Sequence, residues 1–344
     1  MNILADRHHA DLTWSLILLA KRLGANIYFP IGMEWYDEGY YRLYGDLKKK
    51  DPERWIAKKY LVDTYYNVKD DVIITADTVE KYEGCRDYPR LDVLTLEKAK
   101  NTQIDVVICS VNENEPYFAK LKEFYPNAKF IRQTGNDVDD HIDSDLYPNL
   151  LASARIPYDL FTKNKVLYRQ EFSRLLFKPQ QPYSYDHIIS FQNDIEQFED
   201  TWDVWLRLKH ELSDYKFWSF GAGCESGRIY SKSLLISWMA DATFLLQSKG
   251  PWEGYGHIIH NAMAIGRPMI VKMSDYQGKL AEPLLIKDET YLEMTDPDLL
   301  DKIKFYSQPD RYKKMSIKCQ QVFEENVNFD KEFVEIQRFF KELQ

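Results

Sequence analysis

One stretch of this 344-residue chain, Lys249 to Val271, groups residues that can do chemistry: KGPWEGYGHIIHNAMAIGRPMIV. Glu253 is followed at once by Gly254, Tyr255 and Gly256, and the spacing beyond predicts a short helix starting near Gly256. Glycine lets a backbone turn tightly and approach a ligand closely. A helix that starts there offers unpaired N–H groups and the positive end of its dipole, a combination that suits phosphate. Beside it, the Glu253 carboxylate can accept hydrogen bonds from hydroxyl groups. His257, His260 and Asn261 fall at i, i+3 and i+4, on one face, with Ile258, Ile259, Ala262 and Ile265 on the other. A helix cap alone accounts for a turn, but not for EGYG followed by NAMAIGRP. The residue types therefore suit a ligand carrying both an anion and hydroxyls.

The elements that must position these residues read as α/β. NILA, NIYFPI, DVIIT (71–75), DVVICSV (105–111) and KFIRQT (129–134) are short apolar runs, with helical LTWSLILLAKRL and YFAKLKEFY among them. Such alternation implies a parallel sheet covered on both faces. Residues 153–185, with Pro157, Pro179 and Pro182, read as irregular, and the alternation then restarts with HIISF, KFWSFGAG, ATFLLQS and PMIVKM. Ile195, Phe198, Trp202, Trp205, Leu206 and Leu212 lie at helical spacing between the first two of these strands. The expected division is 1–165, 166–328 and a last helix at 329–344, striped with Phe333, Ile336, Phe340 and Leu343. In such domains ligands sit outside the carboxyl ends of the strands. The loops to watch are therefore 6–11, 112–116, 134–140, 191–194, 221–228 and 248–257.

PWEGYGHIIHNAMAIGRPMIV resembles the nucleotide-sugar site of the GT-B glycosyltransferases that carry an E-x7-E motif. In those enzymes Glu-Gly-Phe-Gly is followed after four residues by Glu-Ala-Met-Ala, then Gly-x-Pro and a strand. The resemblance is close over some twenty residues and extends more loosely to the order of elements along the chain. It implies two Rossmann-like domains facing a central cleft, with the last helix crossing back to the first domain. It implies that Glu253 contacts the donor sugar, that Gly254, Tyr255 and Gly256 lie by the diphosphate, and that Gly221 and Gly223 flank the nucleotide; His257 is counted with these donor-binding residues. Three departures are visible. The second motif glutamate, which holds the ribose, is Asn261 here. The basic pair that neutralises diphosphate is missing from SFQNDIEQFED, leaving Arg228, Lys232 or Lys249 to substitute. Asn136 in RQTGND stands where a histidine of the family stands, followed by Asp137. His8, in the loop DRHHAD with His9, Asp6 and Asp11, faces the cleft by the same resemblance, on the acceptor side. That loop also matches part of phosphoesterase metal signatures, and Asp11 alternatively caps the helix that follows.

Totals restrict the alternatives. The net charge is −9, and neither half of the chain is basic, which argues against nucleic acid as the main partner. The four cysteines are scattered and a reducing compartment suits them; Cys109 sits in an apolar run as a buried thiol. No secretory leader is read at the N-terminus, and no apolar run has membrane-spanning length, so the expected location is the cytoplasm, or a host's cytoplasm for a viral chain. Aromatic residues make up 15% of the chain. Several of them interleave with lysines and arginines over 32–66, a platform for an acceptor or simply amphipathic helices. There is no G-x-G-x-x-G after the first strand, no G-x-S-x-G and no phosphate-binding lysine loop. The expected function is transfer of a sugar from a nucleotide-sugar donor to a carbohydrate or other small acceptor, or to a modified base in DNA. The resemblance implies retention of configuration, no metal and no cofactor beyond the donor itself. The alternatives are a nucleotide-sugar epimerase or hydrolase using His8, His9 and Asp137, or a protein that binds carbohydrate or nucleotide without catalysis.

Overall fold

The computed structural model describes residues 1–6, 10–30, 93–94, 101–110, 121–122, 124–135, 142–227, 229 and 232–343. The expected strand 71–75, the aromatic-basic segment 32–66, most of YFAKLKEFY, the loop 112–116 and residues His8, His9, Asn136, Asp137 and Arg228 lie outside them.

The first sheet is wholly parallel. Its strands are β1 (Asn2–Ala5), β2 (Asn26–Pro30), β3 (Val93–Leu94), β4 (Val106–Cys109), β5 (Lys129–Thr134), β6 (Asn149–Ala152) and β7 (Asn164–Leu167), arranged β3-β2-β1-β4-β5-β6-β7. Helix α1 (Ala10–Arg22) follows β1 and lays Leu12, Leu16 and Leu19 on Ile3, Val106, Ile108, Ile131 and Leu151. Three strands differ from the sequence reading. β3 and β6 were not anticipated, and β7 lies inside 153–185, which reads as irregular. β7 also closes the sheet as an edge strand, where NKVL needs just one fully buried side chain, Val166. The first sheet accordingly runs to Leu167, past residue 165. Between the two strands sits the short helix α2 (Arg155–Leu160).

The second sheet comprises β8 (His187–Ser190), β9 (Lys216–Ser219), β10 (Phe244–Leu246), β11 (Met269–Val271) and β12 (Tyr291–Glu293), all parallel, in the order β12-β11-β10-β8-β9. Here β12 is the strand the sequence did not announce. The central strands alternate without polar gaps. Ile189, Leu245, Met269 and Val271 enter one core, while Ile188, Phe244, Leu246 and Ile270 enter the other. This is the two-faced burial that parallel sheets require. Helices α3 (Glu199–Glu211), α4 (Lys232–Asp241), α5 (His257–Ile265), α6 (Leu299–Tyr306) and α7 (Pro309–Asn326) cover it. Helix α3 presents Trp205 and Leu208 inward; Leu206, expected on its apolar stripe, is exposed.

The chain crosses between the domains twice. After β7 it passes from Tyr168 in the first core to Phe172 and Phe177 in the second. After α7 it returns: helix α8 (Phe329–Lys341) buries Ile336 and Phe339 in the first core, with Phe333, Phe340 and Leu343 packed beside them. Asn328 caps α8 by accepting from Lys331 N. The Glu332 carboxylate takes both the backbone N–H of Arg169, at 2.9 Å, and its guanidinium, at 2.7 Å.

Arg267, in the Gly-Arg-Pro that follows α5, is fully buried with no carboxylate partner among the described residues. Its guanidinium donates to the carbonyls of Ala240 (3.0 Å), Gln180 (3.0 Å) and Gly266 (3.1 Å) and to the Tyr312 hydroxyl (3.3 Å). Ala240 lies in the last turn of α4 and Gly266 is the C-cap of α5, so the cation sits at the negative ends of two helix dipoles. Arg267→Lys keeps the charge but cannot reach carbonyls on both helices and on the connecting segment. Losing two such charge-assisted bonds, each worth about 1.5–3 kcal/mol, should lower urea-unfolding stability by at least ~3 kcal/mol. A loss below 1 kcal/mol would show that the guanidinium is not the tie.

Candidate functional site

In the second sheet the order of strands reverses between β8 and β10, and the crevice beyond the carboxyl ends of those two strands is the place a ligand occupies in such folds. The segments that leave them, Phe191–Asp194 and Gln247–Glu253, meet there. Gln192 Oε1 accepts the N–H of Ser248 at 3.1 Å, and Thr201 Oγ1 donates to the Ser248 carbonyl at 2.8 Å. The Asp275 carboxylate accepts from the Ser248 hydroxyl and, at 3.0 Å, from Gly250 N. These side chains are buried, so a turn with little regular structure is held rigidly ahead of the 3₁₀ turn Gly250–Trp252.

Glu253 closes that turn with 5% of its surface exposed. Its Oε2 accepts from Gln247 Nε2 at 3.0 Å and from the Tyr276 hydroxyl at 3.1 Å. Its backbone carbonyl accepts the Lys279 ammonium. Oε1 takes no hydrogen bond among the described residues. Gly254 is buried, and Tyr255 spans the two domains: its N–H donates to the Gly135 carbonyl at 3.0 Å, and its hydroxyl to the Gln170 carbonyl at 3.3 Å. The Tyr255 N–H, expected beside a diphosphate, is thus spent on the first domain. Gly256 is the N-cap of α5 at φ +71°, and a Cβ there would come within 3.0 Å of the Ala281 methyl. A side chain is disfavoured on both counts.

The polar face expected on α5 does not meet solvent. His257 is half-buried and edge-on to Phe172, and His260 and Asn261 are completely enclosed. The His260 ring stacks on Tyr255 at 4.3 Å. Its Nδ1 lies 2.9 Å from the Gly256 carbonyl, which can only accept, so Nδ1 carries the proton and Nε2 is an unpartnered buried acceptor. Burial lowers the His260 pKa to about 3, against the raising effect of the Gly256 bond, with the Arg169 charge adding to the depression. Both polar atoms of the Asn261 amide are buried without a partner among the described residues. Buried amides are ordinarily satisfied, so this one is the most conspicuous unmet demand near the helix start.

The remaining expected residues are placed as follows. Lys249 is half-buried and has no ion pair among the described residues. Lys232 opens α4, with its side chain outside the described atoms. Gly221 and Gly223 lie in the loop after β9, where a Cβ on Gly223 would come within 2.3 Å of Asp194 Oδ1. The glycines therefore let this loop close on the loop after β8, a protein contact that needs no ligand to explain it. At the corresponding reversal of the first sheet, between β1 and β4, buried Asp6 accepts Ser110 N at 2.8 Å. Among the described residues no three His, Cys, Asp or Glu side chains converge as metal ligands, and no helix is long and apolar enough to cross a membrane. Gln192, Gln247, Asp275 and Tyr276 were not anticipated. Gln247 directly follows β10 and Gln192 lies two residues past β8, a weak signal; Asp275 and Tyr276 carry none.

No protein-family model matches the chain, and no curated protein is similar to it. Solved structures are similar over its whole length. HepE from Anabaena in complex with UDP and glucose is 10% identical, with a TM-score of 0.63, covering 99% of each chain. A glycosyltransferase from Rickettsia africae is 14% identical, with a TM-score of 0.57, again covering 99% of each chain. Sucrose-phosphate synthase from Thermosynechococcus elongatus is 11% identical, with a TM-score of 0.54, covering 99% of this chain and 98% of that one. The fold is that of the GT-B glycosyltransferases: two Rossmann-like domains about a cleft.

The depressed pKa of His260 has a defined consequence. As pH falls below 6.5, the unfolded chain binds a proton at this residue that the native chain refuses until pH about 3. Stability is therefore lost across that window, at up to about 1.4 kcal/mol per pH unit. His260→Phe, which retains a ring against Tyr255, should unfold in urea with a flatter pH dependence between 6 and 4. Parallel slopes for the two proteins would contradict the burial of a neutral imidazole.

Proposed function

We propose that this chain is a glycosyltransferase that takes a sugar from a nucleotide-sugar donor. The observation that supports it most is Glu253: a carboxylate locked at the strand-order reversal of the second domain, with one oxygen unused, directly before a glycine-rich helix start in a GT-B fold. In this reading Oε1 accepts a hydroxyl of the donor sugar. The diphosphate lies by Gly254, Gly256 and His257 at the start of α5, with Lys249, Lys232 and Arg228 supplying positive charge. Gly221 and Gly223 shape the nucleotide side, and the Asn261 amide takes the ribose once the surfaces that enclose it part. Developing charge on the leaving diphosphate is then stabilised by helix N–H groups and lysine, with no metal and no cofactor beyond the donor. Retention follows from front-face attack, the leaving phosphate taking the acceptor's proton, since a double displacement would need a carboxylate nucleophile. His8, Asn136 and Asp137 are the further catalytic candidates of this reading, beside Glu253. The acceptor is a carbohydrate or other small hydroxyl compound; a modified DNA base is the remaining class. Action in the cytoplasm is part of the same proposal.

UDP and UDP-glucose are suitable probes, because a complex of HepE with UDP and glucose shares the fold. Both should raise the melting temperature. Glu253→Gln keeps the size of the side chain and should lower kcat about 100-fold, within the range for losing one transition-state contact, while changing UDP affinity little. Asn261→Ala removes an unsatisfied buried amide, so it should leave the melting temperature nearly unchanged while weakening UDP binding about tenfold, the ~1.4 kcal/mol of one hydrogen bond. EDTA should alter neither activity nor binding. Full activity in Glu253→Gln, or loss in EDTA that Mn²⁺ restores, would overturn the assignment. Binding with no release of UDP in any acceptor mixture would instead favour a non-catalytic role.

A further inference from the structure

We infer that Tyr276 and Gln247 are positioning residues: together they turn the Glu253 carboxylate so that Oε1 alone is presented to the donor. This rests on the reading of Glu253 as the sugar-contacting group. A glutamate side chain has three rotatable bonds, and a carboxylate at the mouth of a crevice would ordinarily sample several orientations. Here two donors from different elements converge on one oxygen, Gln247 from the end of β10 and Tyr276 from the turn after β11. Neither donor can wander. Tyr276 is fully buried in the same core as Ile259 and Ala281, and Gln247 is buried as well.

The Tyr276 hydroxyl lies 3.1 Å from two acceptors, the Gln247 carbonyl and Glu253 Oε2, and it has one proton to give. An ionised carboxylate accepts a stronger bond than a carbonyl, so the proton goes to Glu253 while that side chain is charged. Burial, and next the neighbouring Glu253 charge, push the phenol well above its ordinary range, so the donor stays protonated. The ring also touches the packing under α5. A Cβ on Gly256 would come within 3.6 Å of the Tyr276 ring, so one side chain sets both the carboxylate and the floor of the helix start. Pre-orienting a contact in this way contributes to rate without adding a new one.

The test is a double-mutant cycle on Tyr276→Phe and Glu253→Gln, with UDP-glucose as donor, alongside UDP affinity and melting temperature. Tyr276→Phe should lower kcat about tenfold or more and leave the Kd for UDP within twofold of wild type. The double variant should be no slower than Glu253→Gln alone, because a residue acting through Glu253 has nothing left to position. A merely structural role would weaken UDP binding together with kcat and add to the Glu253→Gln defect; either result overturns the inference. Should Tyr276→Phe fail to fold, Gln247→Met carries the same cycle with the same expectations. Wild-type kcat in Tyr276→Phe while Glu253→Gln is impaired would sink this inference alone. Full activity in Glu253→Gln, or no binding of UDP or UDP-glucose by wild type, would sink the reading beneath it and this inference too.

Discussion

A buried guanidinium with no carboxylate partner among the described residues organises the second domain. Moving a charge into a protein interior is costly unless hydrogen bonds and opposite partial charges surround it. Arg267 meets that cost with three backbone carbonyls and one hydroxyl: the C-terminal carbonyls of α4 and α5, a carbonyl of the segment that arrives from the first domain, and a tyrosine hydroxyl on α7. The guanidinium therefore fixes the far end of α5, whose near end carries the glycine-rich turn. A shift of α4, α7 or the 170–180 segment would strip acceptors from a buried cation, so the four elements keep their places together.

The same economy appears at the carboxyl ends of β8 and β10, where side chains supply the hydrogen bonds that irregular backbone lacks. Gln192, Thr201 and Asp275 hold the turn after β10, and Gln247 and Tyr276 hold the glutamate that ends it. Among the described residues both polar atoms of the Asn261 amide and His260 Nε2 are buried with nothing to bond, as are Gln192 Nε2 and Gln247 Oε1 of the frame itself. Unmet demand of this kind is unfavourable for folding, and its presence on both sides of Glu253 is consistent with a ligand that completes it.

The domains are joined by chemistry of two characters. On the helix side the join is apolar and ionic: α8 buries Ile336 and Phe339 in the first core, and Glu332 clasps Arg169. Across the cleft side it is, among the described residues, one backbone hydrogen bond, Tyr255 to Gly135, with the tyrosine hydroxyl reaching Gln170. The first is worth far more than the second, since it buries whole side chains. Domain motion would break the contact at the site before the one at α8.

The α/β class, the helix that begins at Gly256 and the glycine-carboxylate cluster were legible from the sequence because each rests on local pattern. Apolar runs of strand length, a 3.6-residue stripe and turn residues report on neighbours along the chain. The apolar stripe of Phe333, Ile336 and Phe340 was legible in the same way. Strands β3, β6, β7 and β12 carry no local signal stronger than that of the loops around them and exist because neighbouring strands pair with them. The enclosure of His260 and Asn261 was also beyond local pattern, since their spacing suits a solvated face equally well. Residue types and order along the chain determined that a carboxylate would stand before an anion-suited helix start. Which oxygen of that carboxylate is free, and which side chains hold it, was decided only when Gln247 and Tyr276, distant from each other in sequence, were brought within hydrogen-bonding reach by the packing of two parallel strands.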